Sequence, residues 1–288
     1  MNSGLVTPKV ARFLQNIEAY GNPYRELRGN RGRWAEGMGI GPYNGQEFLF
    51  YVGCVGSFDE KGQRAAQAVG RLLLKAGVSF GILGSAEECD GNEINTLGES
   101  RIFEILKERN TALFQKAGVK KIITLSPHAY NVFRNEYPDS FEIFHYTQVL
   151  RDLIKGGRLK ATSKLNTKVT YHDPCFLGRH AGEYEAPREI LMAIPGVELM
   201  EMERNRQNSF CCGGGSGNFY TDSFGGGVNS PSRIRVREAA KTGARILAVA
   251  CPTCAVMLGE ALKDEGIEER LIVKDVSELL EFRGLPPN

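Results

Sequence analysis

The sequence contains no run of eighteen uninterrupted apolar residues, and its opening, "MNSGLVTPKVARFLQ", lacks the continuous apolar stretch of a signal peptide. Both absences argue against a spanning or exported chain. The expectation is a cytoplasmic protein whose membrane association, if any, runs through a partner. An excess of one charge is also missing. Lys and Arg number 36 against 34 Asp and Glu, so there is no general field for nucleic acid or anionic lipid. The small basic cluster Arg233, Arg235 and Arg237 in "RIRVR" accordingly reads as one solvated helix face. Nor is there a ferredoxin-type C-x2-C-x2-C run or an even number of cysteines. Seven cysteines without an export signal argue against a disulfide framework and for metal or redox chemistry. At 288 residues, 42% hydrophobic, the chain is long enough to fold around its own core.

What is present is concentrated and repeated. The cysteines stand at 54, 89, 175, 211, 212, 251 and 254. "FLFYVGCVGS" (48 to 57) and "KVTYHDPCFLG" (168 to 178) are both apolar runs that end near a cysteine and precede a helical pattern. "EECDG" (87 to 91) stands where "FCCGG" (210 to 214) stands later, and "GVKKIITLSPHAYNVF" matches "GARILAVACPTCAVML". The offsets are 121 residues for Cys54 to Cys175, 122 for Cys89 to Cys211, and 125 for Ser126 to Cys251. Such agreement marks a tandem repeat of one α/β unit. Strand-length apolar runs alternate with helical segments in each copy, which predicts βαβ units around a mostly parallel sheet. Ligands collect at the carboxyl ends of such strands, where these landmarks lie.

The chemistry reads from the second copy. Cys175, then Cys211 and Cys212 followed by Gly213, then Cys251 and Cys254 are five thiols, more than a tetrahedral zinc site uses. Clustered thiolates favour iron-sulfur chemistry. The run "GGGSG" lets backbone approach an inorganic sulfide and donate N–H groups to it. Cys254 is expected to open a helix, where N–H groups favour a thiolate.

These residues resemble the CCG motif of the cysteine-rich domain family of heterodisulfide reductase B/D-like iron-sulfur proteins, from about residue 46 to 284. The resemblance implies two Rossmann-like units related by a pseudo-twofold repeat. It also implies a noncubane 4Fe-4S cluster on Cys175, Cys211, Cys212, Cys251 and Cys254, with adjacent cysteines serving different irons. It further implies electron relay to or from a flavin, quinone or thiol/disulfide partner. The partner classes are a ferredoxin-like or flavoprotein electron carrier and a membrane-bound quinone-linked protein, with no nucleic acid. Two alternatives compete: a zinc-stabilised or metal-free interaction module, and a dithiol oxidoreductase using Cys251 and Cys254.

The first copy departs from the pattern. CCG becomes Cys89-Asp90-Gly91 and CxxC becomes Ser126-Pro127-His128-Ala129, so a five-cysteine cluster is excluded there. Three readings remain for Cys54 and Cys89: buried thiols, a zinc site with His128 and Asp90, or a redox pair. His172 in "YHDPC" is the candidate catalytic residue, either donating to sulfur, shuttling a proton or holding a turn. Arg179 and His180 are read as an exposed helix start or an anion site, His145 as capping or packing at a helix entry, and Phe219 and Tyr220 as shields for the cluster or as general aromatic core. The expected division is an extended arm over 1–45, a degenerate domain over 46–160 and an intact one over 161–288. The missing ferredoxin run leaves a separate electron-delivering protein or a longer parent chain as the expectation.

Overall fold

The computed structural model describes residues 6–161 and 164–281. The chain begins with α1 (Pro8–Tyr20), then forms two α/β units with the same strand order. The first holds β1 (Phe48–Tyr51), α2 (Gly53–Phe58), α3 (Glu60–Lys75), β2 (Phe80–Gly81), α4 (Asn92–Thr96), α5 (Ser100–Lys116), β3 (Lys121–Thr124), α6 (Pro127–Asn135), β4 (Glu142–His145) and α7 (Tyr146–Lys155). The second holds β5 (Thr167–Tyr171), α8 (Glu185–Met192), β6 (Val197–Met200), α9 (Asn218–Thr221), α10 (Pro231–Lys241), β7 (Ile246–Val249), α11 (Pro252–Asp264), β8 (Ile272–Asp275) and α12 (Val276–Glu281).

Both sheets are parallel, ordered β2-β1-β3-β4 and β6-β5-β7-β8, with pairs such as Leu49↔Ile122 and Val169↔Ile246 in register. The chain leaves the first strand in one direction and returns on its other side. The topological switch point therefore falls between β1 and β3, and again between β5 and β7. The fold is thus the expected tandem pair of Rossmann-like units. Among the described residues no helix is long and apolar enough to cross a membrane.

α3 shows how sequence becomes packing. The Asp59 carboxylate caps it by accepting from the Lys61 and Gly62 N–H groups. Ala65, Ala68, Val69, Leu72 and Leu73, spaced for one face, are all buried. Only glycine fits at position 62, because a Cβ there would lie 2.3 Å from the Val55 carbonyl oxygen. α3 packs on α11 and α12, and α7 on α8, so one core runs through both units. Full burial of each large aliphatic side chain in it contributes roughly 1.5–3 kcal/mol. Tyr146 of α7 also donates across the junction to both Asp275 oxygens, at 2.8 and 2.9 Å.

Two expectations are corrected. The segment before residue 46 is not an extended arm: Pro8 and the Gly21 C-cap bracket a helix that buries Phe13, Leu14 and Ile17. Farther along, Trp34 is buried edge-on against Phe50, with ring centroids 5.8 Å apart, and Tyr43 N donates to Ile82 O. Nor is "RIRVR" a solvated face. Arg235 is fully buried, while Arg233 and Arg237 both lie near Glu265.

Asp275 makes stability pH-dependent. Burial pushes its carboxyl up to about 7, against hydrogen bonds from Ser277 and Tyr146. The unfolded value is roughly 3.9. The folded chain therefore holds the proton more tightly, and this contribution is full below the unfolded pKa and lost as pH rises through the folded one. Between about pH 4 and pH 7, urea denaturation is expected to show Asp275→Asn gaining roughly 3 kcal/mol relative to wild type. A stability difference independent of pH contradicts the assignment.

Candidate functional site

The second-copy cysteines come from three loops that end at the β5/β7 switch point. Cys175 follows β5, Cys211 and Cys212 lie between β6 and α9, and Cys251 is the N-cap of α11. Pro252 takes the first helical position, so the Cys254 N–H is free to point back at the Cys251 sulfur, 3.5 Å away. In the first copy Ser126 caps α6 in the same way, followed by Pro127, with His128 N donating to its hydroxyl at 3.2 Å. Serine stands here where cysteine stands in the second copy, accepting from the residue two ahead rather than three.

The sulfurs converge. Cys212 and Cys254 Sγ are 3.3 Å apart, and Cys175 and Cys211 Sγ are 3.9 Å apart. Gly213 N lies 3.2 Å from Cys211 Sγ, with φ at +83°, a conformation that favours glycine. At Gly214 a Cβ would stand 2.8 Å from Thr253, so glycine lets the CCG loop lie flat on the first turn of α11. Cys212, Cys251 and Cys254 are buried, whereas Cys175 and Cys211 are half-buried. Hydrogen bonds from Cys175, Cys212 and Gly213 N hold Cys211 down at about 2, and the same pairing pushes Cys175 up. Burial opposes ionisation of Cys251, but donation from Cys254 and His128 brings it well below the usual thiol range.

The loop that carries Cys175 is held by charge. Asp173 accepts from Arg188 Nη1 and Nη2 at 2.7 and 3.0 Å, inside the protein, and from Arg206 N at 2.9 Å. Its carbonyl takes the Ser209 hydroxyl, which ties the Cys175 loop to the CCG loop. His172 is fully buried. Its Nδ1 lies 3.1 Å from Arg235 Nε, and its Nε2 has no protein partner. Burial and the Arg235 charge push it down to about 3. The neutral ring is thereby favoured near pH 7.

His128 lines the same cavity as Cys54 and Cys89, but the three ligand atoms do not all lie within 4.8 Å of one another. Its Nδ1 is bonded to Glu93, its ring lies 4.5 Å from that of Phe176, and it shares a hydrogen bond with Cys251. Burial disfavours its charge, yet Glu93 and Cys251 raise it well above the ordinary histidine value. Glu93 Oε2 meanwhile accepts from Gly217 N at the end of the glycine run. The first copy thus reaches into the second copy's site. Among the described residues, the one trio of His, Cys, Asp or Glu ligand atoms within 4.8 Å is His172, Cys212 and Cys254. The zinc reading of Cys54, Cys89 and His128 loses its third ligand.

Cys54 and Cys89 are buried beside a guanidinium that sequence reasoning missed. Arg31 Nη2 lies 3.4 Å from Cys54 Sγ and 3.0 Å from Glu87, and donates to the Glu88 carbonyl. A hydrogen bond from Cys89, helped by Arg31 against burial, holds Cys54 low. The acidic pair in "EECDG" and the arginines of residues 25–33 were the available signals. A cavity of about 30 Å³ separates the two copies, lined by Cys54, Cys89, Asp90 and His128 on one side and Gly214 and Thr253 on the other. That is room for about one or two waters. Tyr220 stacks on Phe13 at its edge, centroids 5.3 Å apart. Arg179 and His180 are exposed in a turn rather than a helix. Arg179 binds the Ser209 carbonyl, and His180 stacks on Phe176. His145 caps α7: its N–H donates to Gln148 and its Nδ1 meets the Thr147 hydroxyl. The dithiol alternative fails on access, because Cys251 and Cys254 are 0% and 2% exposed and an external disulfide cannot reach them.

Two parallel α/β units that gather thiols at one strand-end crevice define a class of cysteine-rich, redox-type domain. The Cysteine-rich domain (CCG) family matches residues 48–134 and again 169–259, and the chain belongs to that family in two copies. It is 39% identical over 97% of its length to the Probable iron-sulfur-binding oxidoreductase FadF of Bacillus subtilis. Identity is 37% over 92% to an EtfAB:quinone oxidoreductase of Syntrophomonas wolfei, and 30% over 94% to a component of the dihydromethanophenazine-linked heterodisulfide reductase of Methanosarcina barkeri. It covers 41%, 39% and 67% of those proteins respectively. The relatives support an iron-sulfur, oxidoreductase-associated role.

In the metal-free chain, Cys211 is expected to be alkylated first by iodoacetamide at about pH 6, since it is half-buried and ionised. Cys212, Cys251 and Cys254 should react only after unfolding. Peptide mass spectrometry on quenched time points reads the order, and equal rates at Cys211 and Cys254 contradict it.

Proposed function

We propose that Cys175, Cys211, Cys212, Cys251 and Cys254 hold an iron-sulfur cluster of the noncubane 4Fe-4S kind, and that the chain relays single electrons within a larger oxidoreductase. One observation carries the reading: three separate loops deliver five sulfurs to one crevice, two pairs of them 3.3 and 3.9 Å apart. A tetrahedral ion takes four ligands and has no use for the fifth. When bound, such a cluster supplies reversible electron transfer at a potential set by charge, hydrogen bonds and exposure.

The chain's own residues do the rest. The α11 N-terminus and the His128 charge stabilise thiolates, and Gly213 and Gly214 bring backbone close to them. Phe13 and Tyr220 stack on each other at the edge of the inter-copy cavity. The first copy, taken as 46–160, has too few thiols for a second cluster, so disulfide cleavage between paired clusters is not part of the proposal. The partners favoured are a flavoprotein or ferredoxin-like donor and a quinone-linked acceptor at the membrane, as the name of the Syntrophomonas relative suggests. The chain itself would then work from the cytoplasm.

Iron, sulfide and zinc per chain, measured after anaerobic purification, test the reading. About four irons with matching sulfide are expected, lost in Cys211→Ser with Cys212→Ser. Zinc near one per chain with no iron after reconstitution overturns it.

A further inference from the structure

His172 has a feature that neither a catalytic base nor a metal ligand needs: one ring nitrogen is committed to an arginine. Arg235 Nε carries a hydrogen and has no lone pair to offer, so across the 3.1 Å contact it donates and His172 Nδ1 accepts. In a neutral imidazole the other nitrogen must then hold the proton. That nitrogen is Nε2, which is buried without a protein acceptor, in a ring that has one of its two nitrogens within 4.8 Å of both the Cys212 and Cys254 sulfurs. A buried donor left without a partner costs about 1–3 kcal/mol, so its presence among sulfurs calls for an acceptor there.

Arg235 is itself firmly set. It is fully buried, and its Nη1 donates to the Arg204 carbonyl and to Glu238 at 2.8 and 2.9 Å. The guanidinium cannot rotate away from His172 without breaking both bonds.

We propose that Arg235 locks His172 in the Nε2–H tautomer, and that this N–H donates to the sulfur of the group held by Cys212 and Cys254. His172 is then a donor to sulfur and Arg235 the residue that positions it. Neither is a metal ligand, because Nε2 has no free lone pair. The inference deepens the iron-sulfur reading and rests on it. An N–H directed at cluster sulfur stabilises the reduced, more negative state and raises the reduction potential.

Two measurements on anaerobically purified protein test it. With 15N-histidine labelling, the chain's four histidines are few enough to resolve, and His172 is assigned by comparison with His172→Gln. Protonated Nε2 and bare Nδ1 are expected in wild type, and a protonated Nδ1 overturns the proposal. Redox titration followed by electron paramagnetic resonance reads the consequence. His172→Leu should keep its iron but lose about tenfold in preference for the reduced state, about 59 mV downward for one electron. His172→Gln, which keeps an N–H donor, should recover part of that shift. Full iron with an unchanged potential in His172→Leu overturns the hydrogen bond and leaves the cluster intact. Wild-type protein without iron overturns the cluster reading first. Zinc bound through His172 Nε2 overturns the tautomer.

Discussion

Five cysteine sulfurs in a water-poor crevice repel one another as soon as more than one ionises, and most polar features nearby answer that repulsion. Gly213 N and the first turn of α11 direct N–H groups at Cys211 and Cys251. Burial disfavours a charge on His128, but Glu93 and Cys251 favour it. The Glu93 carboxylate in turn holds Gly217 N, so one buried acid organises both His128 and the end of the glycine run. Arg188 and Asp173 fix the loop from which Cys175 projects. Removing one member of such a buried set exposes the others to uncompensated charge, typically about 3–5 kcal/mol.

The degenerate copy has its own role in this arrangement. Ser126 keeps the helix cap that Cys251 occupies in the other copy, so α6 starts in the matching place and delivers His128 across the junction. Ser126 and His128, at the positions of Cys251 and Thr253 in the other copy, line the cavity between the copies. Arg31 anchors the residues before β1 to Glu87 and Cys54.

The repeat was readable because a strand-to-helix turn preserves spacing even when cysteine becomes serine or histidine. Alternation of strand and helix in each copy pointed to the parallel sheets for the same reason, and the five second-copy thiols were visible from their type and position alone. What was not readable depends on how the two copies dock. Nothing local distinguishes Glu93 in "GNEIN" from a surface acid, or Arg235 from its neighbours Arg233 and Arg237. Their burial follows from α4 meeting the glycine run and α10 lying over the Cys175 loop. The helix α1 was missed for a different reason: the glycine- and arginine-rich texture of residues 20–45 masked the short apolar stripe Phe13, Leu14 and Ile17 before it.

The unequal burial of the five sulfurs gives the crevice a closed back and an accessible rim. Cys212, Cys251 and Cys254 form the back, while Cys175 and Cys211 approach the surface. If the proposed cluster is held there, a partner would exchange electrons most readily where it covers that rim, because tunnelling falls steeply with distance. The same rim is the first point at which dioxygen meets sulfur. A partner seated there would therefore serve as both wire and lid, and the chain handled alone would age from Cys175 and Cys211 inward.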